Sequence, residues 1–200
     1  LTGSFTAFLR ELGGKADSLP LLLHNKDTVV RVLVKHLQVP NSTAIRPLCA
    51  CLAALARDLG QEVYVYFQTD MLPALLKLLD TKDAEQLEDV FSCLAYLFKF
   101  LLRMIVHDFT QVFDALIVLL THKTWYIRRF SAEVLSFLLR KMPSDRLKAT
   151  LEHVLMRTTA PPCSRDMLNG AAALLFETVK GVQLGFHTKM PEVLQRLVEC

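Results

Sequence analysis

One feature constrains this 200-residue chain more than any other: it repeats itself about every forty residues. Four segments align: CLAALARDL (51–59), CLAYLFKFL (93–101), VLSFLLRKM (134–142) and LLFETVKGV (174–182), with starts 42, 41 and 40 residues apart. A second set falls between them: MLPALLKLL (71–79), VFDALIVLL (112–120), LKATLEHVL (147–155) and MPEVLQRLV (190–198). Each unit therefore reads as an A helix, a short turn and a B helix. A period near forty matches HEAT or armadillo units and not the 33–34 residues of ankyrin or tetratricopeptide units. Two helices per unit favour HEAT. The expected fold is an all-α, α-α superhelix of HEAT/armadillo type. It forms a single array over 1–200, with units near 42–80, 83–121, 124–157 and 165–200 and with 1–38 as the looser end of a preceding unit.

Helical periodicity supports this reading locally. In 124–142, Ile127, Phe130, Val134, Leu138 and Met142 recur every three or four residues and form one apolar stripe. Arg129, Glu133, Ser136 and Arg140 form the opposite, wetted stripe, with Arg129 and Glu133 spaced to pair within the helix. Asp83 followed by Gln86 resembles a capping box, Asp70 before Pro73 marks a helix start, and Pro143 stops the third A helix. A helices are expected near 43–59, 83–104, 124–142 and 165–186, and B helices near 69–80, 108–121, 145–157 and 190–200. Residues 26–38 read as an earlier B helix, and 4–12 and 18–24 as short helices. Leu52, Leu75, Leu94, Leu116, Phe130, Leu135 and Leu175 are the expected core. TTAPPCS (158–164) is the longest connection. Gly and Pro together supply only 15 residues, as long helices require.

Hydrophobic residues make up 52% of the chain, which excludes intrinsic disorder. The longest run free of Asp, Glu, Lys and Arg is ten residues, well short of the roughly 18 of a membrane span. Five cysteines without metal-ligand spacing read as free thiols of a reducing compartment, four of them in apolar surroundings. The sequon at Asn41 has no other secretory feature beside it. The first residue is Leu1 and the last, Cys200, lies in an apolar periodic run, the pattern expected of a fragment of a larger solenoid.

No catalytic, cofactor or metal constellation emerges. The six histidines are scattered, and the acidic group Glu85, Glu88 and Asp89 suits the first turn of a helix, where carboxylates compensate the macrodipole. Most aromatics read as core, Trp125 and Tyr126 less firmly because they open a helix beside a turn. Charge is unevenly spread. Residues 58–89 carry eight acids against two bases, and 90–160 carry ten bases against five acids. In stacked units, equivalent positions form a ridge. Bases from the second and third units thus make a candidate stripe for an RNA phosphate backbone: Lys123, Arg128, Arg140, Lys141, Arg146 and Lys148. Ordinary solvated helix faces, with Arg128 paired inside its unit, account for the same residues.

The segments LVKHLQVPNSTAIRPLCACLAALARDLG (33–60), LEDVFSCLAYLFKFLLRMIVHD (87–108), THKTWYIRRFSAEVLSFLLRK (121–141) and FETVKGVQLGFH (176–187) carry a family resemblance. They resemble the N-terminal region of the giant HEAT-repeat component of the small-subunit processome, the DRIM (down-regulated in metastasis) family. That resemblance implies a nucleolar, non-catalytic scaffold in pre-rRNA processing and small-subunit assembly. Its implied partners are pre-ribosomal proteins and pre-rRNA or snoRNA, with no membrane, cofactor or small-molecule substrate. A cargo-binding transport solenoid is the alternative; it calls for acidic inner B helices, whereas the strongest acidic block here surrounds one turn, 80–89.

Overall fold

The computed structural model describes residues 3–15, 17–40, 42–159, 164–182 and 191, and among these every regular element is helical. The chain divides into two compact units, Leu1–His107 and Asp108–Cys200. In the first lie α1 (Gly3–Leu12), α2 (Leu19–His24), α3 (Lys26–Leu37), α4 (Ile45–Leu59), α5 (Gln61–Tyr66), α6 (Leu72–Lys77), α7 (Ala84–Phe100) and α8 (Leu102–His107). In the second lie α9 (Phe109–Ile117), α10 (Trp125–Leu139), α11 (Ser144–Thr159) and α12 (Arg165–Val182). The expected B helix at 190–200 lies outside the described residues apart from Pro191, as do the Pro-Pro stretch 160–163, the sequon's Asn41, and Cys163 and Cys200.

Within the first unit the principal packing is A helix on A helix, α4 against α7, with α3 against α4 and α6. Leu52 and Leu94 are fully buried on α4 and α7, and Leu97, Leu48 and Val90 complete that seam. Each such side chain contributes roughly 1.5–3 kcal/mol by leaving water. The second unit repeats the scheme, α10 against α12, with α11 on α12 and α9 on α10. Leu135 and Leu174 occupy the seam, and Leu116 closes it from α9. Ser131 donates from within this core to the carbonyl of Leu116 at 2.7 Å, so its buried hydroxyl is satisfied.

Asp83 accepts from the amides of Glu85 and Gln86, as the capping pattern predicts. Gln86 does not complete the box: it accepts from Thr81 Oγ1 at 2.7 Å, and Thr81 in turn accepts from the Asp83 amide. The Arg129–Glu133 pair also forms, at 2.9 Å.

Four details depart from the sequence reading. First, the first B helix begins at Gln61 and not near 69. Gly60, at φ +48°, turns the chain in a single residue after α4, and helical backbone then runs through Pro73. A proline in mid-helix ordinarily clashes with the preceding turn. Here the wider π turn of Phe67–Met71, in which the Leu72 amide reaches the Phe67 carbonyl, precedes it and relieves the crowding. Second, the second A helix breaks at the buried Leu101, and α8 fills the expected turn. Third, Leu175 is half-buried and Leu174 fully buried, so the fourth segment aligns one residue earlier than its letters suggest. Fourth, Phe130 is only half-buried, whereas Ser136, expected on the wetted stripe, is buried with no partner for its hydroxyl.

Candidate nucleic-acid interface

α10 is 15 residues long, about 22 Å at 1.5 Å per residue, and the six candidate bases divide between its two ends. Lys123 and Arg128 stand at the start. Arg140 and Lys141 follow the last turn, which Pro143 closes, and Arg146 and Lys148 lie in the opening turns of α11. The single stripe is therefore two clusters.

Arg128 is committed to the fold. Its side chain is only 11% exposed; Nη1 donates to the carbonyls of His122 at 2.6 Å and Lys123 at 3.0 Å and lies 2.9 Å from Asp166 of α12. It ties the turn before α10 to the first turn of the next A helix. Lys123, alongside, is exposed.

The other end is more open. Arg140 is exposed and rests along α12: its Nε donates to the Ser136 carbonyl at 3.2 Å, and a Cβ at Gly181 would stand 2.5 Å from its Cδ. Lys141 is exposed, with Nζ 5.9 Å from the centre of the Phe137 ring. Arg146 is exposed and Lys148 half-buried. Among the described residues no carboxylate forms an ion pair with Arg140, Lys141 or Arg146. Arg140 and Lys141, past the C-terminus of α10, complement the negative end of its dipole, whereas Arg146 stands in the first turn of α11, at that helix's positive end. Chemically this end offers three exposed cations, Arg140, Lys141 and Arg146, of the kind that track a phosphate backbone.

Trp125, the chain's one tryptophan, is 62% exposed, with Tyr126 edge-on at 5.9 Å, in keeping with their place at a helix start beside a turn. One feature escaped the sequence reading. In the first unit a groove of about 390 Å³ runs between α4 and α7, floored by Ala50, Ala53 and Ala54, walled by Tyr96 and Phe100 and bounded by Arg46 and Arg57. Its signal was a helix face carrying alanines between two arginines. Among the described residues no group of three or more His, Cys, Asp or Glu is placed to hold a metal ion, and no helix is long and apolar enough to cross a membrane.

No family model matches the chain. Among curated proteins, U3 small nucleolar RNA-associated protein 20 of Saccharomyces cerevisiae is 30% identical over 202 residues, covering 99% of this chain and 8% of that protein. The Schizosaccharomyces pombe protein of the same name is 26% identical over 191 residues, covering 94% of this chain and 8% of that protein. Along nearly its whole length, then, the chain is homologous to a segment of U3 small nucleolar RNA-associated protein 20, and it spans 8% of the length of those relatives.

Proposed function

We propose that this chain is a non-catalytic scaffold segment of the small-subunit processome, acting in pre-rRNA processing and small ribosomal subunit assembly in the nucleolus. The observation that carries the reading is the similarity, over 99% of the chain, to a protein named for its association with U3 small nucleolar RNA. The helical architecture supports it: A helices pack on one another in each unit, as stacked HEAT-type repeats do. Its partners are pre-ribosomal proteins and pre-rRNA or snoRNA. The RNA is met by phosphate contacts at the open end of α10 and the start of α11, through Arg140, Lys141, Arg146 and Lys148, with Lys123 as an outlying contact. Arg128, at the opposite end of α10, is left to the fold.

The test is to replace Arg140, Lys141, Arg146 and Lys148 by Gln and to measure binding of structured RNA over a salt series. Each lost phosphate contact flattens the log–log salt slope by about 0.7–0.9. An unchanged slope and affinity, with helicity intact by circular dichroism, would return these residues to an ordinary solvated face. The wider reading is tested by affinity purification of the full-length protein: pre-rRNA and assembly factors are expected, and recovery of transport cargo instead would overturn it.

A further inference from the structure

The groove between α4 and α7 belongs to the first unit and has no part in the RNA surface. Arg46, Ala50, Ala53, Ala54 and Arg57 share one face of α4, and the three alanines leave a trough where larger side chains would meet α7. Tyr96 and Phe100 form its far wall, their rings stacked 6.0 Å apart at 11°. Tyr96 is 50% exposed even so, with Phe100 holding its ring in place. A preformed apolar trough of this size falls within the about 300–1,000 Å³ of ligand pockets, and a ring fixed in advance loses little freedom on binding.

The rim specifies charge. Arg46 gives only Nε to Asp89, at 3.1 and 3.2 Å, leaving its two terminal nitrogens open, and its side chain is 70% exposed. Arg57 is held bidentate by Asp58, at 2.7 and 3.0 Å, and Lys99 Nζ stands 5.7 Å above the Phe100 ring. Arg57 is committed to Asp58, so the open fork of Arg46 is where one further carboxylate fits. A polyanion laid along the trough would instead pass both Asp58 and Asp89. The first unit is also neutral, with eleven bases and eleven acids, whereas the second carries twelve bases and nine acids. From Arg46 to Ala53 is seven residues of helix, roughly 10 Å, which an extended peptide covers in about three residues.

We propose that this groove docks a short acidic peptide segment of a partner protein. A bulky apolar side chain of that segment seats on Ala50, Ala53 and Ala54 against Tyr96, and a carboxylate about three residues away takes the open fork of Arg46.

The experiment selects a random dodecapeptide phage library on the chain, with counter-selection on the Ala50→Glu variant. Anisotropy titrations of the enriched peptides follow. Ala50 is exposed and Glu is a good helix former, so the fold tolerates the change while a carboxylate at that position closes on Arg46. Expected are peptides with an acidic residue about three positions from an aromatic or large aliphatic one. They should bind Ala50→Glu and Ala54→Phe at least tenfold more weakly, and Arg46→Gln several-fold more weakly. Failure to enrich any sequence, or enriched peptides indifferent to Ala50→Glu and Ala54→Phe while circular dichroism is unchanged, would overturn the proposal. So would an oligo-uridylate that displaces the peptides and itself loses affinity in the same variants, because the trough would then belong to RNA.

Discussion

The two units set the same arginine frame around different fillings. Arg46 and Arg129 stand six residues before the buried leucines Leu52 and Leu135, and Arg57 and Arg140 stand five after them. Between them α4 carries Ala50, Ala53 and Ala54, whereas α10 carries Glu133, Ser136 and Phe137. In α10 the glutamate closes on Arg129 within the helix. In α4 no acid occupies that position, and Arg46 reaches across to Asp89 on α7 instead. Side-chain volume and one charge at equivalent positions thus turn one surface of a repeat into a trough and another into a filled face. The buried leucine beneath is the same in both, so the packing of the repeat is separable from what its outer face presents.

Tightness of approach also differs, and the largest effect expected comes from it. A Cβ at Gly170 of α12 would lie 1.9 Å from the carbonyl oxygen of Leu120 and 2.7 Å from its carbonyl carbon, both backbone atoms that no rotamer change can move. Gly170→Ala should therefore destabilise the second unit by about 3 kcal/mol or more, in the upper range of overpacking. Helix propensity alone works in the opposite direction, by about 1 kcal/mol. Urea denaturation decides the sign, and a stabilised variant would mean that α12 is free to shift from Leu120. The first unit has its counterpart in Leu94→Ala on the α4/α7 seam. The loss expected there is about 2–5 kcal/mol by urea denaturation, the ordinary consequence of a cavity.

An intermediate effect separates two kinds of arginine in the second unit. Arg128→Gln removes three charge-assisted contacts to the turn and to Asp166 and should cost about 1.5–3 kcal/mol. It should leave the salt slope of RNA binding where it was. Arg146→Gln should do the reverse, flattening that slope by about 0.7 at negligible cost in stability. If Arg128→Gln flattens the slope as well, Arg128 reaches phosphate and the division of the basic set fails.

Much of this organisation is legible in the letters. Leu52, Leu94 and Leu135 recur because each A helix needs a large apolar residue at one seam, and the expected A helices near 43–59 and 124–142 lie within a few residues of α4 and α10. Asp83 declares its cap by local chemistry alone. What stays hidden depends on partners distant in sequence. Nothing local distinguishes Leu174 from Leu175; the choice is made by the rotation of α12 on α10. Ser136 carries the polarity of a wetted position, yet packing buries it. Tyr96 sits among leucines, so its periodicity reads as core, but the alanines opposite it on α4 do not reach out to cover the ring. Pro73 reads as a helix start because no single-residue rule anticipates a π turn five residues long.

The smallest effect concerns how the two units hold their surface charges. In the first unit several pairs join separate helices: Lys26 of α3 to Glu62 of α5, Arg46 to Asp89, and Lys35 of α3 to Glu11 of α1. In the second, Arg128–Asp166 joins two helices, α10 and α12, while Arg129–Glu133 and Lys180–Glu177 lie each within one helix. A pair that joins helices couples packing to pH. Lys35 Nζ donates to both carboxylate oxygens of Glu11, at 2.8 and 2.9 Å, and His36 Nε2 stands 3.4 Å from one of them. The Lys35 hydrogen bond, aided by the positive charge around it and opposed by partial desolvation, holds the Glu11 carboxyl below its ordinary 4.5. For an acid depressed in the folded state, the contribution is complete above the ordinary value and disappears as pH falls through the depressed one. The contribution of Glu11 to the seating of α1 on α3 should therefore be complete above 4.5 and should be lost as pH falls below it. A carboxyl titration by NMR, with amide exchange in α1 followed over the same range, reads both halves. Lys35→Gln should return the Glu11 titration toward 4.5, and Glu11→Gln should leave α1 exchange flat across it. Loosening of α1 that persists in Glu11→Gln would place the pH response elsewhere in the first unit.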